Sequence, residues 1–352
     1  MPFDSIDMTR DSVKDYYGKV LKSKADLQTT ACCTAEAMPV YLRPLLRDIH
    51  DEVQEKFYGC GSPIPHSLEG LTVLDLGCGS GRDSFMLSRL VGPKGRVIGI
   101  DMTDQQLATA RKHVAYHTEK YGYSKPNIEF KQGYIEDLES IGIASGSVDL
   151  VVSNCVINLS PNKPQVFKEI FRVLKPGGEL YFSDVFADRR IPKPIAEDPQ
   201  VLGECLGGAM YIQDFRRMMA NLGCNDYRVF SSSKLDILNP AIEAKTGRIG
   251  FHSMTVRAFK LDIEDRCEDF GQVAYYKGTI PEAPNAFMLD DHHLLETNRP
   301  MLVCSNTAAM LASTRFAKHF RIEGDTSTHY GLFDCAPVGA TPTTSATPGA
   351  CC

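Results

Sequence analysis

"VLDLGCGSGRD", residues 73–83, decides the fold. An apolar run with the composition of a buried strand ends in Asp75. Glycines then alternate at Gly77, Gly79 and Gly81, and a helical pattern opens at Arg82. Glycine is required where a backbone turns tightly or where a ligand approaches main-chain atoms closely. Ligands of open α/β sheets bind outside the carboxyl ends of the strands, where such a loop lies. A dinucleotide fingerprint wants a third small residue at the position of Arg82, and a bulky arginine does not suit that close helix–strand packing. The alternating glycines suit instead a nucleoside without a pyrophosphate. The next strand, "VIGIDMT", ends in Asp101 and Met102, about 20 residues further on, the usual place for an acid that grips ribose hydroxyls.

Around this loop the pattern alternates strand and helix. "GRDSFMLSRLV", "TDQQLATARKHVAYHTEKYG" and "KPQVFKEIFRVL" read as helices, and "LTVLDLG", "GRVIGID", "NIEFKQG", "VDLVVSN" and "PGGELYFSDV" as strands. Strands joined by helices predict an α/β fold, a mostly parallel sheet with helices on both faces. "YIQDFRRMMANLG" predicts a further helix and "MTVRAFKL" a late strand. Ahead of the loop, "DSVKDYYGKVL" and "YLRPLLRDIHDEVQEKFYG" predict helices. The organisation expected is an N-terminal helical segment and lid over 1–70, the sheet domain over 71–261, a small C-terminal α+β domain over 262–335, and a tail over 336–352. The tail, "APVGATPTTSATPGACC", has too little apolar surface to offset its ordering entropy.

A net charge of −6 gives no electrostatic footprint for nucleic acid or an anionic membrane. The acidic start "MPFDSIDMTRD" is unlike a signal peptide, and no apolar run approaches membrane-spanning length. A cytoplasmic, monomeric protein acting on a small molecule is expected. The chain has 12 cysteines but no CxxC pair, which points to thiol chemistry rather than a zinc finger. Cys155, at the end of the strand in "VVSNCVINLS" (151–160), reads either as a small packing residue or as a reactive group at the sheet's edge.

With Asp101, "GYIEDL" (133–138) and "VLKPGGELYFSDV" (173–185) added to the loop, the chain resembles the class I S-adenosylmethionine-dependent methyltransferases. The resemblance implies that Asp75 helps hold the methionine amino group beside Gly77, Gly79, Gly81 and Arg82. Asp101 and Met102 would meet the ribose, Ile135 and Glu136 would flank the adenine, and Asn154 would lie near the methyl donor.

"DYYGKVLKSKADLQTTAC", "FYGCGSP", "VVSNCVINL" and "GECLGGA" (203–209) extend the resemblance to the arsenite methyltransferases over most of residues 10–215. It implies that Cys60, Cys155 and Cys205 ligate trivalent arsenic, with thiolates as the soft ligands that a thiophilic centre selects. It implies further that Cys32 pairs with Cys60 in a disulfide when electrons return to the arsenic. An external thiol such as thioredoxin or glutathione would then reset that disulfide. Mono- and dimethylated arsenicals would be the products, and arsenic detoxification the role. Cys33 stands beside Cys32, so the redox partner is assigned by register alone. Cys78 reads as a bystander in the cofactor loop, and Cys224, Cys267, Cys304 and Cys335 as packing residues. The Cys351–Cys352 pair reads as dispensable or as a means of capturing a thiophilic ion, and His292–His293 as surface. Two rivals stand beside this reading: a C-, O- or N-methyltransferase of an organic acceptor, and a thiol-rich sequestering protein. The first lacks an evident histidine base, since His113 and His117 fall on a helix expected outside the sheet. The second has no use for a nucleoside loop.

Overall fold

The structure, a computed structural model, describes residues 38–57, 62–203 and 205–335. The helix expected over "DSVKDYYGKVL", together with Cys32, Cys33, Cys60, Cys351 and Cys352, lies outside the described residues. No helix among the described residues is long and apolar enough to cross a membrane.

The main sheet contains β1 (Thr72–Leu76), β2 (Arg96–Asp101), β3 (Ile128–Gln132), β4 (Val148–Asn154), β5 (Leu174–Ala187), β6 (Met210–Tyr211), β7 (Tyr227–Lys234) and β8 (Phe251–Phe259). Their order is β3-β2-β1-β4-β5-β8-β7, with β6 against the end of β5. Strands β1 to β6 pair in parallel, and β8 runs antiparallel between β5 and β7. A sheet buried on both faces needs cover on both. On one side lie α1 (Arg43–Arg47), α2 (Asp51–Glu55), α3 (Arg82–Val91), α4 (Asp104–Lys112) and α5 (Val114–Lys120). α6 (Lys163–Val173) and α9 (Ile212–Asn221) cover the other side, and the short α7 (Lys193–Ala196), α8 (Pro199–Gly203) and α10 (Pro240–Thr246) gather at the carboxyl edge. Strand alternation divides the core. Val73 and Leu150 pack with Phe85 and Leu107, whereas Leu74 and Val151 pack with Phe167, Ile170 and Phe215.

Two expected helices are each broken. The one over 41–59 splits into α1 and α2, because His50 leaves the helix and its Nδ1 accepts the Glu52 amide at 3.2 Å as an N-cap. The one over 103–122 splits at His113, whose ring is drawn to Glu52 at 2.8 Å and lies 3.8 Å from the His50 ring. β7 carries "FSSSK", too polar to read as a strand, and is half-exposed at the sheet's edge.

The C-terminal part is α+β. β10 (Val273–Tyr276) pairs with β13 (Pro300–Leu302) and β14 (Phe320–Glu323), β11 (Ala286–Met288) with β12 (Leu294–Glu296), and β9 (Glu268–Asp269) with β15 (Gly331–Leu332). With α11 (Ser305–Ala312) they enclose a core of Tyr276, Phe287, Leu311, Phe316 and Phe320, to which Phe259 of β8 also belongs. The histidine doublet expected at the surface is only half there. His292 is exposed, but His293 is buried because its amide and its ring both reach Asp290, at 2.8 and 2.7 Å.

Candidate active site

β1 and β4 are neighbours whose following helices lie on opposite faces, so the strand order reverses between them and leaves a crevice at their carboxyl ends. The loop after β1 and the turn after β4 both open into it. Gly77, Gly79 and Gly81 all have positive φ, at 68°, 53° and 91°. A Cβ on Gly77 would overlap the Val156 side chain of the β4 turn, so this glycine lets the two loops touch. Gly81 closes against the Phe130 ring on the far side. The cleft is lined by Asp75, Gly77, Gly79, Asp101, Met102, Ile135, Glu136, Asn154 and Cys155 among others, and sets a few polar groups among apolar walls, as small-ligand sites do.

Asp101 is held from two sides. Its two oxygens accept the Gly79 amide at 2.9 Å and the Thr103 amide at 2.8 Å, fixing the carboxylate across the glycine loop, while burial pushes its pKa up. Beside it the Gln106 Oε1 is buried with no hydrogen-bond partner among the described residues. Spacing did not single out Gln106. Such an orphaned acceptor beside a carboxylate fits a ligand that carries hydroxyl donors. At the other wall Glu136 accepts the Ser160 hydroxyl at 2.6 Å and lies next to Ile135, giving a polar edge beside an apolar face.

At the base, the Asp75 carboxyl is pushed up to about 7, first by burial and then by the neighbouring Asp83 carboxylate, and the Ser84 hydroxyl donates to it. Asp83 was not anticipated. It accepts the Asn154 amide at 2.9 Å and the Arg82 guanidinium at 2.7 Å. Arg82 itself stands back from the cleft, its guanidinium 3.2 Å from the centre of the Phe57 ring and 3.0 Å from the Ser62 hydroxyl. It therefore acts on the cleft through Asp83.

The Asp75 shift has a sign that can be measured. In the ligand-free protein this carboxyl keeps a proton between pH 3.8 and about 7 that the unfolded chain has lost, so its contribution to stability falls as pH rises through that window. A cationic amine bound beside it favours the ionised form, so amine binding releases a proton below pH 7. The affinity for the S-adenosylmethionine that the sequence implies is expected to fall roughly fivefold between pH 7 and pH 6, and Asp75→Asn to flatten that slope. Calorimetric titration at several pH values checks both, and an unchanged slope in the variant refutes the assignment.

The β4 turn and the "GECLGGA" segment meet at their backbones. Cys155 has φ 55° and Cys205 φ 62°, both left-handed conformations held by the surrounding packing. The Cys155 amide donates to the Ser183 carbonyl of β5 at 2.9 Å, and the Cys205 thiol lies 3.7 Å from the Cys155 carbonyl oxygen. A Cβ on Gly208 would overlap the Asn158 carbonyl, so the second glycine of "LGGA" is what permits the approach. Behind the turn, the Asp184 carboxylate accepts the Asn158 amide at 3.1 Å and the Val185 amide at 2.9 Å. Cys155 is disulfide-bonded. Burial holds the Cys78 thiol well above its usual range and the Cys224 thiol up to about 12, so neither is a ready nucleophile.

The chain matches the family "Methyltransferase domain" over residues 67–223 and the "Arsenite methyltransferase C-terminal domain" over 270–344. The fold, with its cleft at the sheet's switch point, is that of the class I S-adenosylmethionine-dependent methyltransferases. An arsenite methyltransferase of Aquipseudomonas alcaligenes is 52% identical over 325 residues, covering 92% of this chain and 93% of that protein. The arsenite methyltransferase of Homo sapiens is 44% identical over 314 residues, covering 88% and 82%. The crystal structure of an arsenic(III) S-adenosylmethionine methyltransferase from Chlamydomonas reinhardtii superposes with a TM-score of 0.82 at 51% identity, covering 85% of this chain and all of that one. The chain belongs to the arsenite methyltransferase family, and is an enzyme that methylates trivalent arsenic from S-adenosylmethionine.

Proposed function

We propose that Cys60, Cys155 and Cys205 hold the arsenic substrate as a three-thiolate adduct at the mouth of the cofactor cleft. The observation that carries this reading is that Cys155 lines the same cleft as Asp75, Gly79 and Asp101, while Cys205 packs on the Cys155 carbonyl. The cleft's residues fit S-adenosylmethionine: Asp75 for the amino group, Asp101 with Gln106 for the ribose hydroxyls, Ile135 and Glu136 for the adenine. Bound there, that cofactor supplies an electrophilic methyl group. The thiolates' task is then to fix the arsenic lone pair toward the methyl and to remove the entropy of a bimolecular encounter, worth roughly 7–11 kcal/mol in favourable cases.

A thiol locked in a disulfide cannot ligate, so Cys155 has to be reduced before arsenic binds. Arsenic that gives its lone pair to a methyl cation rises by two oxidation units. Closure of a Cys32–Cys60 disulfide would return two electrons, and an external thiol such as thioredoxin or glutathione would reset the pair. A reducing compartment such as the cytoplasm suits this cycle, and a monomer suffices because one chain carries every group named.

The test is product speciation of the purified protein with arsenite, S-adenosylmethionine and a reducing thiol. Methylated arsenicals that require the thiol reductant are expected. Methylation at full rate after the four cysteines Cys32, Cys60, Cys155 and Cys205 are all replaced by serine would remove the thiol mechanism.

A further inference from the structure

Three of the four cysteines expected to be packing residues come together in the C-terminal part. Cys267 precedes β9, Cys304 is the N-cap of α11, and Cys335 follows β15, yet their sulfur atoms all lie within 4.8 Å of one another. Cys267 and Cys304 are buried and Cys335 is half-buried, so the group has one side open to solvent. A three-coordinate centre about 2.3 Å from each sulfur, a usual metal–thiolate length, spans sulfurs about 3.5 Å apart when pyramidal and about 4.0 Å apart when planar. Small side-chain rotations therefore close the trio around one ion.

The Cys304 sulfur is met by two donors. The Thr307 amide donates to the Cys304 Sγ at 3.4 Å, and the Arg228 guanidinium of β7 lies 3.8 Å from it. Arg228 is also held by Asp226 at 2.6 Å and Asp290 at 3.1 Å, so buried carboxylates outnumber it, and His293 on Asp290 at best restores the balance. A divalent ion on three thiolates would add a further buried negative charge to that excess, whereas a trivalent centre leaves the adduct neutral. Among the described residues no fourth histidine, cysteine or carboxylate joins the group, as a four-coordinate structural zinc site would need.

We propose that Cys267, Cys304 and Cys335 form a second binding site for trivalent arsenic, separate from the cofactor cleft. Binding is ligand exchange on arsenous acid. Three As–O bonds break and three As–S bonds form, each thiol proton leaves with a hydroxide as water, and no electron is transferred. The adduct ties the β9–β15 pair to the start of α11, so it adds covalent cross-links between three chain segments that otherwise meet through hydrogen bonds and packing.

The experiment is arsenic stoichiometry of the reduced, full-length protein after arsenite is added and the unbound excess removed. Two arsenic atoms per chain are expected for the wild type, and one for Cys155→Ser/Cys205→Ser. Adding Cys304→Ser or Cys335→Ser to that double variant should leave none. Serine at 304 keeps an oxygen to cap α11, and Cys335→Ser, at the half-exposed member, serves if the other fails to fold. A double variant that binds no arsenic, or that keeps its one atom when Cys304 or Cys335 is replaced, overturns the proposal. So does a zinc ion that purifies with the chain, is lost in Cys304→Ser and bars arsenic. Failure of the cleft thiols alone would read differently: Cys155→Ser/Cys205→Ser would then bind as much arsenic as the wild type, and Cys304→Ser one atom less.

Discussion

Serine in place of Cys155 is expected to lower arsenic methylation by at least about 1000-fold, about 4 kcal/mol at 1.4 kcal/mol per tenfold, while S-adenosylmethionine binding stays within a few-fold of wild type. The two effects separate because the residue has two relations to the cleft. Its backbone, with φ 55° and its amide on the Ser183 carbonyl, shapes the β4 turn, and serine can keep both. Its side chain is the soft ligand, and a hydroxyl at neutral pH is neither soft nor ionised. Cys205→Ser should behave in the same way, since it removes a thiol that packs on the same turn without touching Asp75, Gly79 or Asp101. Chromatographic separation of arsenic species gives the first quantity and calorimetry the second. Arsenic turnover at the wild-type rate in both variants would mean that the substrate is held by other groups. Equal loss of cofactor binding would mean that the cysteines act on the architecture of the cleft.

What the sequence disclosed and what it concealed follow from the range of the interactions. The glycine loop and Asp101 were legible because a strand, a turn and a helix start are local, and the acid sits at the end of the adjacent strand. The meeting of Cys155 with Cys205 was implied only by resemblance. It depends on Gly208 letting one backbone onto the Asn158 carbonyl, a contact across distant segments that no periodicity encodes. Asp83 was hidden beside the more conspicuous Arg82, and its role emerged only when Asn154 was found on its free oxygen. The helix breaks at His50 and His113 have one cause, the Glu52 segment they share, and neither break is marked by proline or glycine. Cys267, Cys304 and Cys335 had no motif because each comes from a separate segment, and only the pairing of β9 with β15 and the packing of α11 unite them.

Removal of the Glu179 charge is expected to be the most damaging single change to stability. Glu179, fully buried on β5, accepts the Arg257 Nε of β8 at 2.7 Å with one oxygen and the Arg315 guanidinium with the other. Arg315 follows α11 and also donates to the His66 carbonyl at 3.2 Å, so one carboxylate joins two sheet strands, the segment before β1 and the C-terminal part. Desolvation makes such an arrangement a modest net stabiliser at best, but deletion of its only anion leaves two buried guanidiniums facing each other. Glu179→Gln should therefore cost about 3–5 kcal/mol. At roughly 2–4 °C per kcal/mol for a chain of a few hundred residues, Tm should fall by about 6–20 °C in calorimetry. A fall below about 2 °C would show that water reaches the pair and screens it. The cause can be separated from simple loss of packing by a companion variant, Glu179→Leu with Arg257→Met and Arg315→Leu, which removes every charge and keeps much of the volume. If uncompensated charge is what unfolds Glu179→Gln, the triple variant should recover most of the lost Tm. If the arginines instead matter as rigid links to the Leu289 and His66 carbonyls, the triple variant should fall further than the single one.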